Sequence, residues 1–446
     1  MSFNAAALHA ALIAHLPADA TGLVVALSGG ADSAALLAGV ASLRDHLAGL
    51  AIRAVHVDHG LQSAAGAFRT AAHAQCAQAH VPLRILQVTV PRASGESLEA
   101  AAREARYTAL AADLAAGECL LTAHHAHDQA ETLLLQGLRG AGLKGLSAMP
   151  PCQEFGRGWH VRPLLDTAQG DLLGLGLNLH AGGEADPMNQ DLRFDRNFLR
   201  RELWPRVEAR WPGAATALAR TARHLGAAQD LLDASAAVEV ARLRDGAALS
   251  IPGLRALQPA RRVHAVRLWL HEAGVDLPSE ARIVEALRQM LEAAADHLPT
   301  VVWGEHALRR YRQRLFLTAA TPPHLQQAMQ WQLHPDARLT LPPGLGRLCC
   351  VPQAGGLDLS RLSTPLSVRR REGGESLKPH RQAHTHSVQH LCQQQGVLPW
   401  LRDALPLLFS GEELVAVGDL WMDARWCVAA NAPGVALNWE DGPVLV

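Results

Sequence analysis

The chain has 446 residues, with 41 Lys+Arg against 42 Asp+Glu and a formal net charge of −1. That length exceeds one ordinary core and implies roughly two or three domains, and 49% hydrophobic residues exclude a wholly disordered chain. The charge balance excludes a uniformly basic nucleic-acid binder but leaves local patches open.

In chain order, the N-terminal stretch MSFNAAALHAALIAHLPADATG lacks the basic start of a signal peptide. The first 165 residues alternate short apolar runs with helical patterns. The runs are 23–27, 52–57, 83–90, 119–122 and 161–165; the helical patterns are 33–47, 64–79, 97–115 and 128–138. This alternation predicts an α/β domain with a Rossmann-like parallel sheet covered on both faces. Ligands of such sheets bind at the carboxyl ends of the strands. From 169 to 187 the pattern degrades, and LGLGLNLHAGG gives no helix. Helices are expected over 197–210 and 214–241, and two more between 252 and 295. A strand is expected over 306–318, a proline-bearing linker from 321, and short strands with one helix (387–395) from 366 to 435. The domain expectation is 1–212, a mainly helical 213–320, a linker region 321–362 and a small α+β domain 363–446.

The strongest local signal is VVALSGGADSAALL, residues 24–37. A buried strand runs into Ser28-Gly29-Gly30-Ala31-Asp32-Ser33 and a helix follows directly. Adjacent glycines permit close backbone approach to a ligand, and the helix start offers N–H groups and a positive dipole end to an anion. Asp32 beside a phosphate needs an intervening cation, for which Mg²⁺ is the natural choice. The alternative is a Gly-Gly turn with Asp32 or Ser33 as an N-cap. No G-K-[ST] end is present, so the loop is not of the Walker type.

Two further strand ends are polar. One carries His56, Asp58 and His59. The other reads Thr122-Ala123-His124-His125-Ala126-His127-Asp128-Gln129-Ala130-Glu131. A His with two carboxylates near a nucleotide can bind Mg²⁺ or move protons. Asp128-x-x-Glu131 also reads as a helix cap. His124 and His125 should face opposite ways if the strand continues through them.

The segment SGGADS at 28–33 resembles the signature of the PP-loop, or N-type ATP pyrophosphatase, family, which cleaves ATP to AMP and pyrophosphate. AVHVDHGLQ, SLEAAAREARY, TAHHAHDQAETLLLQGLRGAGLKGLSAM, RPLLD and DPMNQDLRFDRNFLRRELWP resemble, in order, successive blocks of the tRNA(Ile)-lysidine synthase family. RLWLHEAGV and LRRYRQRLFL resemble that family's middle domain. VRRREGGESL and LPWLRDALPLLFSGEELVAVGDLWM resemble the C-terminal domain of its long bacterial form.

The resemblance implies an AMP-forming ligase that joins L-lysine to C2 of the wobble cytidine of a CAU-anticodon tRNA(Ile). The reaction passes through an adenylated cytidine and changes decoding and charging from Met to Ile. It implies ATP and Mg²⁺ as cofactors, with catalytic roles for Asp32, His124 and Glu131. It implies ATP contacts from Ser28, Gly29, Gly30, Ala31, Asp32, Ser33, His56, Arg103 and Arg106, and metal contacts from Asp32 and Asp128. Arg103 and Arg106 could equally form a solvated helix face. Two departures stand out: His127 occupies a position that is usually acidic, and the Gly-rich 173–183 stretch replaces an amphipathic helix.

Local charge fits a tRNA partner. Residues 192–223 carry eight Arg against three acids, and 361–390 carry five Arg and one Lys against two acids. The expected tRNA contacts are Arg196, Asn197, Arg200, Arg201, Arg369, Arg370 and Arg371. Trp204, Trp211 and Trp400 are either stacking platforms or packed core.

Only Lys144 and Lys378 are lysines, so 39 of the 41 cations are Arg, a bias best read as genome composition except where guanidinium meets phosphate. Seven cysteines with no C-x-x-C pair read as reduced thiols. That counts against a PP-loop tRNA thiolase, one alternative reading; a catalytically inactive tRNA-binding paralogue is the other. No apolar run approaches the ~18 residues of a membrane span, so a cytoplasmic protein without a membrane partner is expected, with a homodimer as a compatible assembly.

Overall fold

The computed structural model describes residues 4–47, 49–58, 65–90, 98–172, 194–294, 297–380 and 382–445. It divides into two compact units, 1–232 and 233–446. The division falls inside the helix Ala214–Leu243, downstream of the boundary expected at 212.

Unit 1 is built on a six-stranded sheet ordered β3-β2-β1-β4-β6-β5. Its strands are β1 (Gly22–Leu27), β2 (Ala51–Asp58), β3 (Leu83–Gln87), β4 (Glu118–Leu121), β5 (Cys152–Phe155) and β6 (Gly158–Val161). All neighbours are parallel except the β5–β6 hairpin at the edge. The helices that cover the sheet and follow β4 are α1 (Ala5–His15), α2 (Ala31–Ser42), α3 (Ala65–Ala79), α4 (Leu98–Asp113) and α5 (Ala126–Leu138).

β1 shows why the sheet needs cover on both sides. Leu23, Val25 and Leu27 pack into one cluster with Leu36, Leu37 and Val40 of α2; Val24 packs into another with Leu110 and Leu114. Alternate side chains of a strand point to opposite faces, so an all-apolar strand is buried twice.

From β1 the sheet grows first through β2 and β3 and then, on the other side, through β4. The loops leaving the carboxyl ends of β1 and β4 thus part to opposite sides, and a crevice opens between them. The final strand differs from expectation: residues 161–165 were expected to form it, but β6 ends at Val161. Pro163 has no N–H to give a ladder, which stops the strand there. The helical segment 195–210 contains a π turn, Leu199–Leu203, just before Pro205. Pro205 cannot donate to the carbonyl four residues back, and the wider turn accommodates it.

In unit 2, helices Ile251–Ala256, Pro259–Glu272 and Glu280–Glu292 pack on a five-stranded sheet that includes the hairpin His306–Tyr311 and Arg314–Ala319. Where one long strand was expected over 306–318, a reversal at Arg312 (φ 54°) makes two. Residues 321–362, expected as a linker, contain strands Met329–Trp331, Arg338–Thr340 and Arg347–Ala354. These pair with Leu366–Arg369, with one another and with Pro433–Glu440. Their prolines sit largely in the connections, so the composition that suggested a linker marks turns between short strands.

Candidate active site

The 28–33 loop leaves β1 at the crevice. Gly29 has φ +84°, and a Cβ there would lie 2.7 Å from the Phe68 ring, so only glycine fits. Gly30 sits at the N-cap of α2 without a side-chain capping bond. The first-turn N–H groups of a helix have no intrahelical partners, and without a cap they suit an anion. Ser33 ties the loop together: its Oγ accepts from Ser28 N (3.2 Å), donates to the Gly30 carbonyl (3.0 Å) and lies 3.1 Å from Ser28 Oγ. It acts within the loop rather than as the N-cap.

Asp32, in the first turn of α2, faces the end of β4. Its Oδ2 lies 3.6 Å from His125 Nε2 and 3.5 Å from Gln169 Nε2. His125 is the N-cap of α5: its ring nitrogen accepts from His127 N (3.2 Å), and Asp128 Oδ2 accepts from His125 N (3.1 Å). His125 Nε2 lies 3.6 Å from Asp128 as well. Burial alone would lower the His125 pKa, but its bond to Asp32 and the charges of Asp128 and Asp32 raise it. His125 was not among the expected site residues. Its only signal was the His-His doublet, and sequence could not say which ring faces Asp32.

The two histidines do diverge. His124 Nδ1 lies 2.8 Å from Thr122 Oγ, whose other neighbour is His160 Nε2 at 2.8 Å; His160 Nδ1 lies 3.0 Å from Arg162. His160 is fully buried against Phe155 and Tyr107. Burial pushes the His124 pKa down to about 3 and the His160 pKa to about 2.

Asp128 and Glu131 form a buried pair on α5, met by Arg196 and Arg200 four residues apart on the opposite helical segment. Arg196 Nε donates to Glu131 Oε2 (2.8 Å), Arg200 Nε to Glu131 Oε1 (2.5 Å), and Arg200 to Asp128 Oδ1 (2.7 Å). Burial would raise the Asp128 pKa; His125, His124 and Arg200 hold it below the ordinary carboxylate range instead. Both Asp128 oxygens are thus engaged by protein donors, one as a helix cap and one in an ion pair. Among the described residues no group of three or more His, Cys, Asp or Glu is arranged to hold a metal ion.

His127 lies in the first turn of α5. Its ring packs edge-on against Trp204 (centroids 5.3 Å), and Trp204 sits in a cluster with Ala126, Ala130, Ala215 and Ala219.

The other expected residues lie as follows. His56, at the end of β2, donates from Nδ1 to the Leu27 carbonyl (2.9 Å), since a carbonyl can only accept. Arg103 and Arg106 flank Tyr107, with guanidinium carbons 4.8 and 5.4 Å from its ring centre. Asn197 is buried and Arg201 exposed. In unit 2, Arg369 lies over the Phe409 ring (3.8 Å) and 3.3 Å from Glu412, Arg371 lies 3.8 Å from Asp403, and Arg370 is exposed. Trp204 is buried and Trp211 is 60% exposed. Trp400 packs on Phe316 (5.2 Å). His59, Ser97, Asp186, Asn189 and the 173–183 stretch lie outside the described residues.

A doubly covered parallel sheet with an uncapped Gly-Gly helix start at its crevice places residues 4–207 with the PP-loop domain, whose family model matches them. This is the class of ATP-using PP-loop proteins. Further models match the TilS substrate binding domain (249–316) and the TilS substrate C-terminal domain (366–439). A tRNA(Ile)-lysidine synthase of Xanthomonas campestris is 40% identical over 94% of this chain and 95% of its own length. One of Alkalilimnicola ehrlichii is 40% identical over 95% of each chain, and one of Coxiella burnetii 35% identical over 93% of this chain and 92% of its own. The chain belongs to the tRNA(Ile)-lysidine synthase family.

Proposed function

We propose that this protein joins L-lysine to C2 of the wobble cytidine of tRNA(Ile) with a CAU anticodon. The C2 oxygen displaces pyrophosphate from the α-phosphorus of ATP, and the lysine ε-amine then displaces AMP. The observation that carries the reading is the crevice between β1 and β4, where an uncapped helix start and Asp32 face His125 and the α5 carboxylates.

In this reading the backbone of Gly29–Ser33 holds the pyrophosphate end of ATP. Asp32, partly exposed at the helix start, would hold Mg²⁺, which would neutralise charge on the departing pyrophosphate. His125 orients the Asp32 carboxylate. His56, Arg103 and Arg106 flank the nucleotide. Arg196 and Arg200, expected to contact tRNA, instead fix Glu131 and Asp128 and so lock the segment 195–210 onto α5. Arg201, Arg206 and Arg210 with Trp211 on the exposed face of that region, Asn197, and Arg369–Arg371 in unit 2 are assigned to tRNA.

The thiolase alternative lacks chemistry here. All seven cysteines are free, and burial pushes Cys76 and Cys350 to about 11 and Cys119 to about 12, away from the thiolate form. No helix among the described residues is long and apolar enough to cross a membrane. Cytoplasmic location and a homodimer belong to the same proposal and are tested by cell fractionation and light scattering.

The deciding experiment incubates the protein with CAU-anticodon tRNA(Ile), ATP, Mg²⁺ and labelled lysine, followed by nucleoside mass analysis. Lysidine with stoichiometric AMP and pyrophosphate is expected. Retained tRNA binding without lysine incorporation would favour the inactive paralogue. Asp32→Asn should abolish AMP formation and leave tRNA affinity nearly unchanged; a collapse of affinity would make Asp32 structural.

A further inference from the structure

The row Arg162–His160–Thr122–His124 has a direction that can be read from what each group can donate. A guanidinium only donates. Burial lowers the Arg162 pKa, yet only to about 10, so the group is charged at neutral pH. Arg162 donates from one nitrogen to the Pro150 carbonyl (2.8 Å) and from the other to His160 Nδ1 (3.0 Å). His160 Nδ1 is therefore bare. His160 is neutral, so its proton sits on Nε2 and is donated to Thr122 Oγ (2.8 Å). The Thr122 hydroxyl is buried, and among the described residues its only other neighbour within hydrogen-bond reach is His124 Nδ1, at 2.8 Å. An unpaired buried hydroxyl proton is costly. Thr122 therefore donates to His124 Nδ1. A neutral His124 accepting at Nδ1 carries its proton on Nε2.

We propose that Arg162, His160 and Thr122 are positioning residues that hold His124 as the Nε2–H tautomer, so that His124 meets the substrates as a hydrogen-bond donor to a substrate oxygen rather than as the acceptor of the lysine proton. The assignment deepens the ligase reading above and rests on it, together with the catalytic role that the family resemblance implies for His124. The relay is long-range in sequence: Thr122 and His124 leave β4, whereas His160 and Arg162 belong to β6 and its exit, and β4 and β6 are hydrogen-bonded neighbours. The tilted rings of Tyr107 and Phe155 pack around His160 and fix the ring that sets the polarity. A ring nitrogen that already carries a proton and a second that is occupied leave no site for a proton from the lysine ammonium. An N–H donor on a catalytic His124 would serve oxygens that gain charge as pyrophosphate and then AMP depart.

Thr122→Val removes the hydroxyl at nearly unchanged shape, whereas Thr122→Ser keeps it. The first should lower kcat for lysidine formation by on the order of tenfold, the worth of one neutral hydrogen bond, with KM for ATP and tRNA unchanged. The second should restore most of it. His160→Gln can accept from Arg162 and donate to Thr122, and should outperform His160→Leu. Independently of turnover, long-range ¹H–¹⁵N spectra of histidine-labelled protein should show His124, assigned by its loss in His124→Asn, protonated at Nε2 in the wild type. A His124 protonated at Nδ1, or a Thr122→Val enzyme with wild-type kcat, would overturn the proposal. A wild-type protein that makes no lysidine would overturn the ligase reading and the role of His124 with it; the spectrum would still report the tautomer, which separates the two failures.

Discussion

Glu131 illustrates how little a residue's role follows from its type. A carboxylate at the sixth residue of a helix beside a nucleotide loop reads as a proton acceptor, and the family pattern encourages that. In the fold its two oxygens are taken by Arg196 and Arg200, groups 65 and 69 residues away in sequence. No local periodicity announces such a pairing. Glu131→Gln would keep the shape and remove the charge facing two guanidiniums. Breaking a buried pair costs about 3–5 kcal/mol. Both arginines here are partly exposed, at 28% and 44%, so solvent screening lowers the expected loss to about 2 kcal/mol. Urea denaturation should show it, and the double variant with Arg196→Ala should lose less than the sum of its parts. Strict additivity would mean that the pair is not energetically coupled.

The two histidines of the Arg162–His160–Thr122–His124 row make a prediction of their own. Burial holds His124 and His160 well below the ordinary 6.5. As pH falls below that value the unfolded chain gains protons that the folded chain refuses. Their contribution is therefore complete above about pH 6.5 and declines on acidification. Tm should drop between pH 7 and pH 5, and less steeply in His160→Gln. Equal slopes would show that His160 takes up its proton in the fold as readily as in the unfolded chain.

At the scale of elements, the sequence made the catalytic sheet legible because its strands are continuous apolar runs and its helices follow period. It made the 28–33 loop legible because two glycines between strand and helix have few other uses. Three things were not legible. The direction in which His124 and His125 point depends on where β4 ends. The strands within 321–362 are short, and their connections carry prolines. The sheet beside the middle helices depends on pairings such as Leu315 with Leu249, far apart in the chain.

Arginine-rich RYRQR spans the turn between two strands of that sheet, and one of its arginines closes a helix. Arg310 is buried and donates to the carbonyls of Met290 (2.8 Å), Ala293 (2.9 Å) and Arg312 (3.1 Å), satisfying the C-terminal end of helix Glu280–Glu292. Arg310→Met should leave those carbonyls unsatisfied and cost about 2–4 kcal/mol, read as a lower unfolding midpoint with tRNA affinity unchanged under native conditions. Loss of affinity without loss of stability would place Arg310 in the interface instead.

At the scale of the whole molecule, a net charge of −1 averages over arginines with unlike duties. Arg53 is held by Asp113 and Glu118, Arg162 orders a relay, Arg310 closes a helix, and Arg196 and Arg200 clamp α5. Counting them all as phosphate contacts would overstate the salt dependence of tRNA binding. The segment after α5 supplies the exposed remainder: Arg201, Arg206 and Arg210, with Arg210 5.5 Å from the centre of the largely exposed Trp211 ring. Each lost phosphate contact should lower the slope of log affinity against log salt by about one. Arg201→Ala with Arg206→Ala should therefore flatten that slope by about two. Trp211→Ala should weaken binding by about 1–3 kcal/mol without changing it, because stacking releases no counterions. Arg196→Ala should leave the slope nearly intact while lowering stability, since its guanidinium already has a carboxylate. If Arg196→Ala flattens the slope as much as Arg201→Ala does, the clamp opens on binding and hands its cations to the tRNA; titrations across a salt series distinguish the two outcomes directly.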